Sequence, residues 1–215
     1  SFFINFYYSK VGSFPIDTFL HFDSAYRISI GELPIRDYWI VSGLTVDFIQ
    51  SLFFKIFGVN WFALSFHASI FNLLIAITIY FFFLNLKINK CKAFIISLSF
   101  ATLSYSISGT PFVDLHATFF LLVATLILMQ NLDSQKKYLW ILITVLFFLS
   151  FFSKQVPAAY AVILYFLILL PYFIKKNNFK NIYIMFVTSI IILCFIAIIL
   201  AINEIDFKSF YIQYL

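Results

Sequence analysis

The feature that most constrains this chain is the run from Leu64 to Leu86, which carries one His and two Asn but no charged side chain. A bilayer core of about 30 Å needs about 20 consecutive apolar residues to cross it as a helix. This run is long enough to cross with some tilt. It is not alone, because 63% of the chain is hydrophobic and only 11% is charged. A water-soluble globular domain carries about 25% charged residues, so that class is excluded. The reading is an all-α integral membrane protein, with the bilayer as its solvent.

Further apolar runs cover 93 to 109 and 112 to 130, separated by SGTPF, and 182 to 202. The stretch from Tyr138 to Ile174 contains one charge, Lys154. As one helix it would rise about 55 Å, nearly twice the hydrocarbon thickness. It must fold back, and SKQVP is the hinge, with Pro157 suited to the first turn of the returning helix. The expected architecture is about six complete crossings plus a truncated first helix at residues 2 to 8. Residues 9–61 form a first extracytoplasmic loop, 62–202 the transmembrane bundle, and 203–215 the start of another extracytoplasmic loop. A chain that opens on Ser1 rather than Met and stops at Tyr214-Leu215 inside a loop is read as a fragment, the N-terminal part of a larger protein.

Cations orient the bundle. Lys87, Lys90, Lys92, Lys136, Lys137, Lys175, Lys176 and Lys180 fall on the loops 87–92, 131–137 and 175–180, against one acid, Asp133. The positive-inside rule makes these loops cytoplasmic. The formal charge of +5 is thereby explained by anionic lipid, and nucleic acid is not an expected partner. Cys91 and Cys194 suggest neither a disulfide framework nor a metal site and are read as packing residues.

The polar exception is HFDSAYRISIGELPIRDYWIVSG, residues 21 to 43, where Asp23, Arg27, Glu32, Arg36 and Asp37 gather. Asp23 and Arg27 lie one turn apart on a helical face. Spacing leaves open a surface ion pair or a carboxylate kept at the membrane edge for chemistry. Beyond the island, LTVDFIQSLFFKIF (44–57) places Asp47, Ser51 and Lys55 on one face, with Leu44, Phe48, Ile49, Leu52, Phe53 and Ile56 on the other. It is expected to lie flat in the interface, its charges arguing against deep burial. Lys154 either floors a recessed cavity, where it could bind phosphate, or snorkels to the surface. Asp114 and His116 stand at the mouth of the third span, as acceptor-binding or capping residues. They are a weak metal pair without a third ligand, so no metal site is assigned, although divalent metal dependence stays open. His21 and His67 are read as lone structural histidines.

Asp23-Ser24-Ala25-Tyr26-Arg27, then Gly31-Glu32-Leu33-Pro34-Ile35-Arg36-Asp37-Tyr38-Trp39, then Lys55-Ile56-Phe57-Gly58 before a span, resemble the polytopic GT-C glycosyltransferases, which include the protein O-mannosyltransferases and lipid A aminoarabinose transferases. The motif covers about 40 residues, and the topology most of the chain. The resemblance implies a sugar moved from a polyprenyl-phosphate donor to a lipid, glycan or protein acceptor at the outer face of a bacterial inner membrane, without a cofactor. It assigns Asp23 as general base on the acceptor, with inversion at the sugar, and Arg27, Arg36 and Lys154 to the departing phosphate; Asp37, Asp114 and His116 complete the substrate-binding set. The chain departs from the paired Asp-Glu of many members, having Asp23-Ser24. The alternative is a lipid or solute transporter without chemistry, for which internal repeats would be the sign.

Overall fold

The structure, a computed structural model, describes residues 1–12, 14–40, 42–104, 109–134, 136–176 and 179–214. Among the described residues there are ten α-helices and no strand. They are α1 Phe2–Tyr8, α2 Pro15–Ser29, α3 Leu44–Phe57, α4 Trp61–Asn85, α5 Lys90–Leu103, α6 Val113–Asn131, α7 Lys137–Ser153, α8 Gln155–Lys176, α9 Lys180–Ile202 and α10 Phe207–Tyr214. Four of them, α4, α6, α8 and α9, are long and apolar enough to cross a membrane. The 17 residues of α7 rise about 26 Å and the 14 of α5 about 21 Å, both short of a full core. The expected span 93 to 109 therefore ends as a helix at Leu103, while 105–108, including the serine of SGTPF, lie outside the described residues.

The chain divides into two compact units, one of Ser1–Glu32 with Leu44–His116 and the other of Leu33–Gly43 with Ala117–Leu215. In the first, α2 packs on α3, α3 on α4, and α4 on both α1 and α5. Helices in lipid gain little from hydrophobicity itself, so close packing of small residues and interhelical hydrogen bonds must join them. The α4–α5 seam follows that rule. Ala93 and Ala101 are buried, Asn72 Nδ2 donates to the Ala101 carbonyl at 3.0 Å, and Ser97 Oγ donates to the Ala76 carbonyl. Asn5 ties α1 in the same way, donating to Ser69 Oγ at 3.1 Å and to the Gly109 carbonyl at 3.2 Å.

In the second unit, α7 packs against α8 and α9. Its core is Ala124 and Leu128 of α6, Trp140, Ile143 and Phe147 of α7, and Leu169 and Phe173 of α8. The indole of Trp140 donates to the Ser134 carbonyl at 3.0 Å, so the largest buried side chain leaves no polar atom stranded. The expected hinge is present. Helix α7 stops at Ser153, Lys154 is extended (φ −156°, ψ 134°), Val156 is non-helical, and the returning helix runs on from Pro157.

Residues 9–61 are more regular than a surface loop, holding all of α2 and α3. Helix α3 has the expected bounds but the opposite orientation. Asp47 is fully buried, with Val46, Gln50, Ser51 and Phe54 beside it, while Phe48, Leu52 and Ile56 are exposed. Asp47 was expected near the surface because a lone carboxylate is costly to bury, but here it has a partner in His21. Lys55 does stay exposed. Helix α2 repeats the pattern, burying Thr18, His21 and Ser24 and exposing Ile16, Phe19 and Leu20. Polar side chains turned inward and apolar ones outward are what a hydrocarbon surround selects. A spin label at Leu52→Cys, with Cys91 and Cys194 replaced by Ser, is expected to be reached by lipid-dissolved oxygen in preference to an aqueous nickel chelate, and one at Lys55→Cys the reverse. Preferential nickel access at Leu52 would place this face in water.

Candidate functional site

The charged island is distributed over both units. In the first, Asp23 projects from the outer side of α2, its side chain 60% exposed, and accepts a 2.7 Å hydrogen bond from Arg27 Nε. Arg27 Nη1 donates to Glu32 Oε2 at 3.1 Å. One guanidinium thus sits between two carboxylates, which raise it above its ordinary range, the Asp23 hydrogen bond most of all. The spacing of four that the sequence offered is realised as a helix pair, and Glu32 extends it past Gly31, where φ is +99° and a residue without Cβ is favoured.

In the second unit the chain from Leu33 to Asp37 makes a tight turn. Asp37 N–H donates to the Leu33 carbonyl at 2.9 Å, and Leu33 N–H donates to Asp37 Oδ2 at 2.7 Å. Ile35 is forced to φ +76°, a region that costs a β-branched residue about 1–3 kcal/mol and persists only where its surroundings hold it. Helix α10 supplies the hold. Gln213 Nε2 donates to the Ile35 carbonyl and its Oε1 accepts from Ile40 N–H, both at 3.3 Å. Arg36 grips Asp37 with two 2.9 Å bonds and sends Nη1 to the Asn203 carbonyl at 3.3 Å. The Arg36 bond, followed by the Leu33 amide, holds the Asp37 carboxyl below its ordinary range. A guanidinium has five N–H groups; three are used here, which leaves two for an anion. Lys154 is half-buried at the α7–α8 hinge, beside Gln155, whose amide donates to the Tyr214 carbonyl.

Comparison with protein families, curated proteins and solved structures finds no match.

The interior of the first unit holds polar side chains that spacing did not bring together. His21 Nδ1 lies 2.9 Å from Asp47 Oδ1. Gln50 Oε1 lies 2.8 Å from His67 Nδ1, His67 Nε2 lies 3.2 Å from His116 Nε2, and His116 Nδ1 lies 2.9 Å from the Phe112 carbonyl. His21 and His67, read as solitary, each have a titratable or amide partner. His116 turns inward from α6, while Asp114, two residues earlier, is half-buried. The one signal available from sequence was that three histidines occur in the whole chain and all three belong to helices with apolar outer faces. Among the described residues no three His, Cys, Asp or Glu lie together as metal ligands.

Asp47 gives a pH prediction. Burial pushes its carboxyl above the ordinary range, and hydrogen bonds from His21 and Ser24 pull it only part of the way back. A raised native value means that the folded state holds the proton more tightly than the unfolded state. Stability is then full on the acid side of the ordinary carboxylate range and falls as pH rises toward the native value, by about 1.4 kcal/mol per pH unit. Asp47→Asn removes that titration, so the unfolding free energy of the variant is expected to be flatter across the mildly acid range. Equal slopes in the two proteins would refute the assignment.

Proposed function

We propose that this chain is the membrane-embedded part of a transferase that moves a sugar from a polyprenyl-phosphate carrier to an acceptor at the extracytoplasmic face, with Asp23 as general base. The observation that carries the reading is the position of Asp23. It is one of two exposed carboxylates of α2, the other being Asp17. Of the two it is the one held by an arginine one turn on, Arg27, among the outward apolar and aromatic residues Phe19, Leu20 and Tyr26. This exposure supports reading Asp23 as a proton acceptor for an aqueous hydroxyl at the lipid edge. A base must come within about 2.6–3.2 Å of the attacking hydroxyl, and attack opposite the leaving phosphate inverts the anomeric carbon. Arg27, one helical turn from Asp23, is the cation assigned to the phosphate, whose charge grows as the sugar departs; within the second unit Arg36 and Lys154 are the cations assigned to an anion. Asp37 orients Arg36, and Asp114 is assigned to the acceptor side.

The same reading takes α5 and α7 as crossing helices, giving six crossings in all with a truncated first helix, and puts the lysine-rich loops in the cytoplasm of a bacterium. The test is sugar transfer by the full-length protein in proteoliposomes, supplied with polyprenyl-phosphate hexoses and pentoses. Transfer with inverted anomeric configuration is expected; a panel of donors yielding none overturns the reading. A proton-coupled transporter is the second reading, favoured by the histidine pair buried between α4 and α6, since ionisable side chains inside a membrane bundle mark proton or solute paths. Translocation into vesicles without product would support it instead.

A further inference from the structure

We propose that His67 and His116 form a store for one proton, and that a half-turn of the Gln50 side-chain amide registers whether the store is full. The inference stands apart from either functional reading, because it follows from the hydrogen bonds of four buried groups. His116 Nδ1 faces the Phe112 carbonyl at 2.9 Å. A carbonyl can only accept, so His116 Nδ1 carries hydrogen in every state of the pair. The two Nε2 atoms, 3.2 Å apart, hold one hydrogen between them, since two would collide and none would leave lone pairs opposed.

That leaves His67 Nδ1, which faces Gln50. As seen here Gln50 presents Oε1, at 2.8 Å, and an amide oxygen requires a hydrogen on the ring nitrogen. The two rings then carry three hydrogens, one more than two neutral imidazoles, and the pair has a single positive charge. Turning the Gln50 amide by half a turn presents its NH2 group instead. His67 Nδ1 becomes the acceptor, its hydrogen is gone, and the pair is neutral with every hydrogen bond kept. The empty and full states therefore differ by one proton and one amide rotation, and no ring needs to move.

The surroundings are dry, so the charged, full state is the costlier of the two. Gln50, His67 and His116 are each no more than 1% exposed. Phe53 stacks on His67 with centroids 4.9 Å apart, and Phe71 lies against both rings at 4.9 and 4.6 Å. Aromatic rings pack a neutral imidazole and favour an imidazolium through their π faces. Of the titratable groups on the packed elements, His21 of α2 lies close enough to His116 to act on it electrostatically, and Asp47, one turn before Gln50 on α3, is hydrogen-bonded to His21 at 2.9 Å. The store thus ties the proton occupancy of spans α4 and α6 to α3.

Nitrogen NMR of ring-labelled histidine in the full-length protein in nanodiscs tests this directly, because the chain has three histidines and His67→Asn and His116→Asn assign the signals. Uptake of one proton by the pair as pH falls is expected, with His116 Nδ1 protonated throughout. Gln50→Glu, which can only accept at the position facing His67, should raise the proton affinity of the pair at least tenfold, and Gln50→Leu, which can do neither, should lower it. One proton taken by each ring, no uptake between pH 5 and 9, or the same affinity in both Gln50 variants overturns the proposal. Should the variants fail to fold, the proton count and the His116 tautomer in the unsubstituted protein decide it alone.

Discussion

Asp23→Asn is expected to reduce sugar transfer by about 10²–10⁴-fold, the contribution typical of a positioned general base, while leaving donor affinity and helix content unchanged. The substitution is nearly isosteric. The amide oxygen can still accept from Arg27 Nε, now 2.7 Å from the carboxylate, and Arg27 keeps its second bond to Glu32. What is lost is the ability to take a proton from the acceptor hydroxyl. Turnover and KM for a polyprenyl-phosphate donor, measured beside the circular dichroism of each protein, separate the outcomes. A large fall in kcat with unchanged KM supports the role; normal turnover removes Asp23 as the base, and a rise in KM or a loss of fold alone makes it a structural partner of Arg27.

Gly109→Ala is expected to give the largest loss of stability in the first unit. Gly109 has φ +62°, and a Cβ there would lie 2.3 Å from Ser9 N, 2.6 Å from Ser9 Cα and 2.8 Å from the Asn5 carbonyl oxygen. All three are backbone atoms at the end of α1, so no side chain can swing aside. The chain must separate from α1 or distort, with Asn5 losing the Gly109 carbonyl and Ser69 Oγ as acceptors. Clash, φ strain and lost buried hydrogen bonds together place the cost at about 3–5 kcal/mol. Unfolding in SDS against a mild detergent measures it. A cost below about 1 kcal/mol would show that α1 is not held against Gly109. Gly31→Ala is the internal comparison, because φ is also positive there (+99°) but nothing lies within 4 Å of the added carbon.

These two residues mark what could and could not be read from the chain. Helical content, the hinge at Lys154 and the bounds of α3 follow from charge-free runs, a proline and a 3.6-residue period, all of them local. The Asp23–Arg27 pair follows from a spacing of four. The direction in which α2 and α3 face does not, since periodicity identifies two faces without saying which meets protein. Asp47 and Ser51 suggested a wet side, but the partner that makes burial tolerable, His21, is 26 positions away on another helix. The Gln50–His67–His116 chain was equally hidden, because its members come from three helices and none has a motif. Gly109 showed only as part of SGTPF, the break between two apolar runs, whereas its need for a hydrogen in place of a side chain is set by the backbone of residues 5 and 9.

The bracket that Gln213 places on Ile35 spans 178 positions. A ribosome will have released the Leu33–Gly43 turn long before α10 exists, and the strained isoleucine has nothing to hold it until then. Long-range closures are made late and slowly. The Arg36 end of the island is thus completed only after α10 has been made and has reached back across that distance to an early stretch of the nascent chain. A polypeptide halted before residue 207 should insert its spans and bury its histidines, yet leave Arg36 and Asp37 on an unset loop.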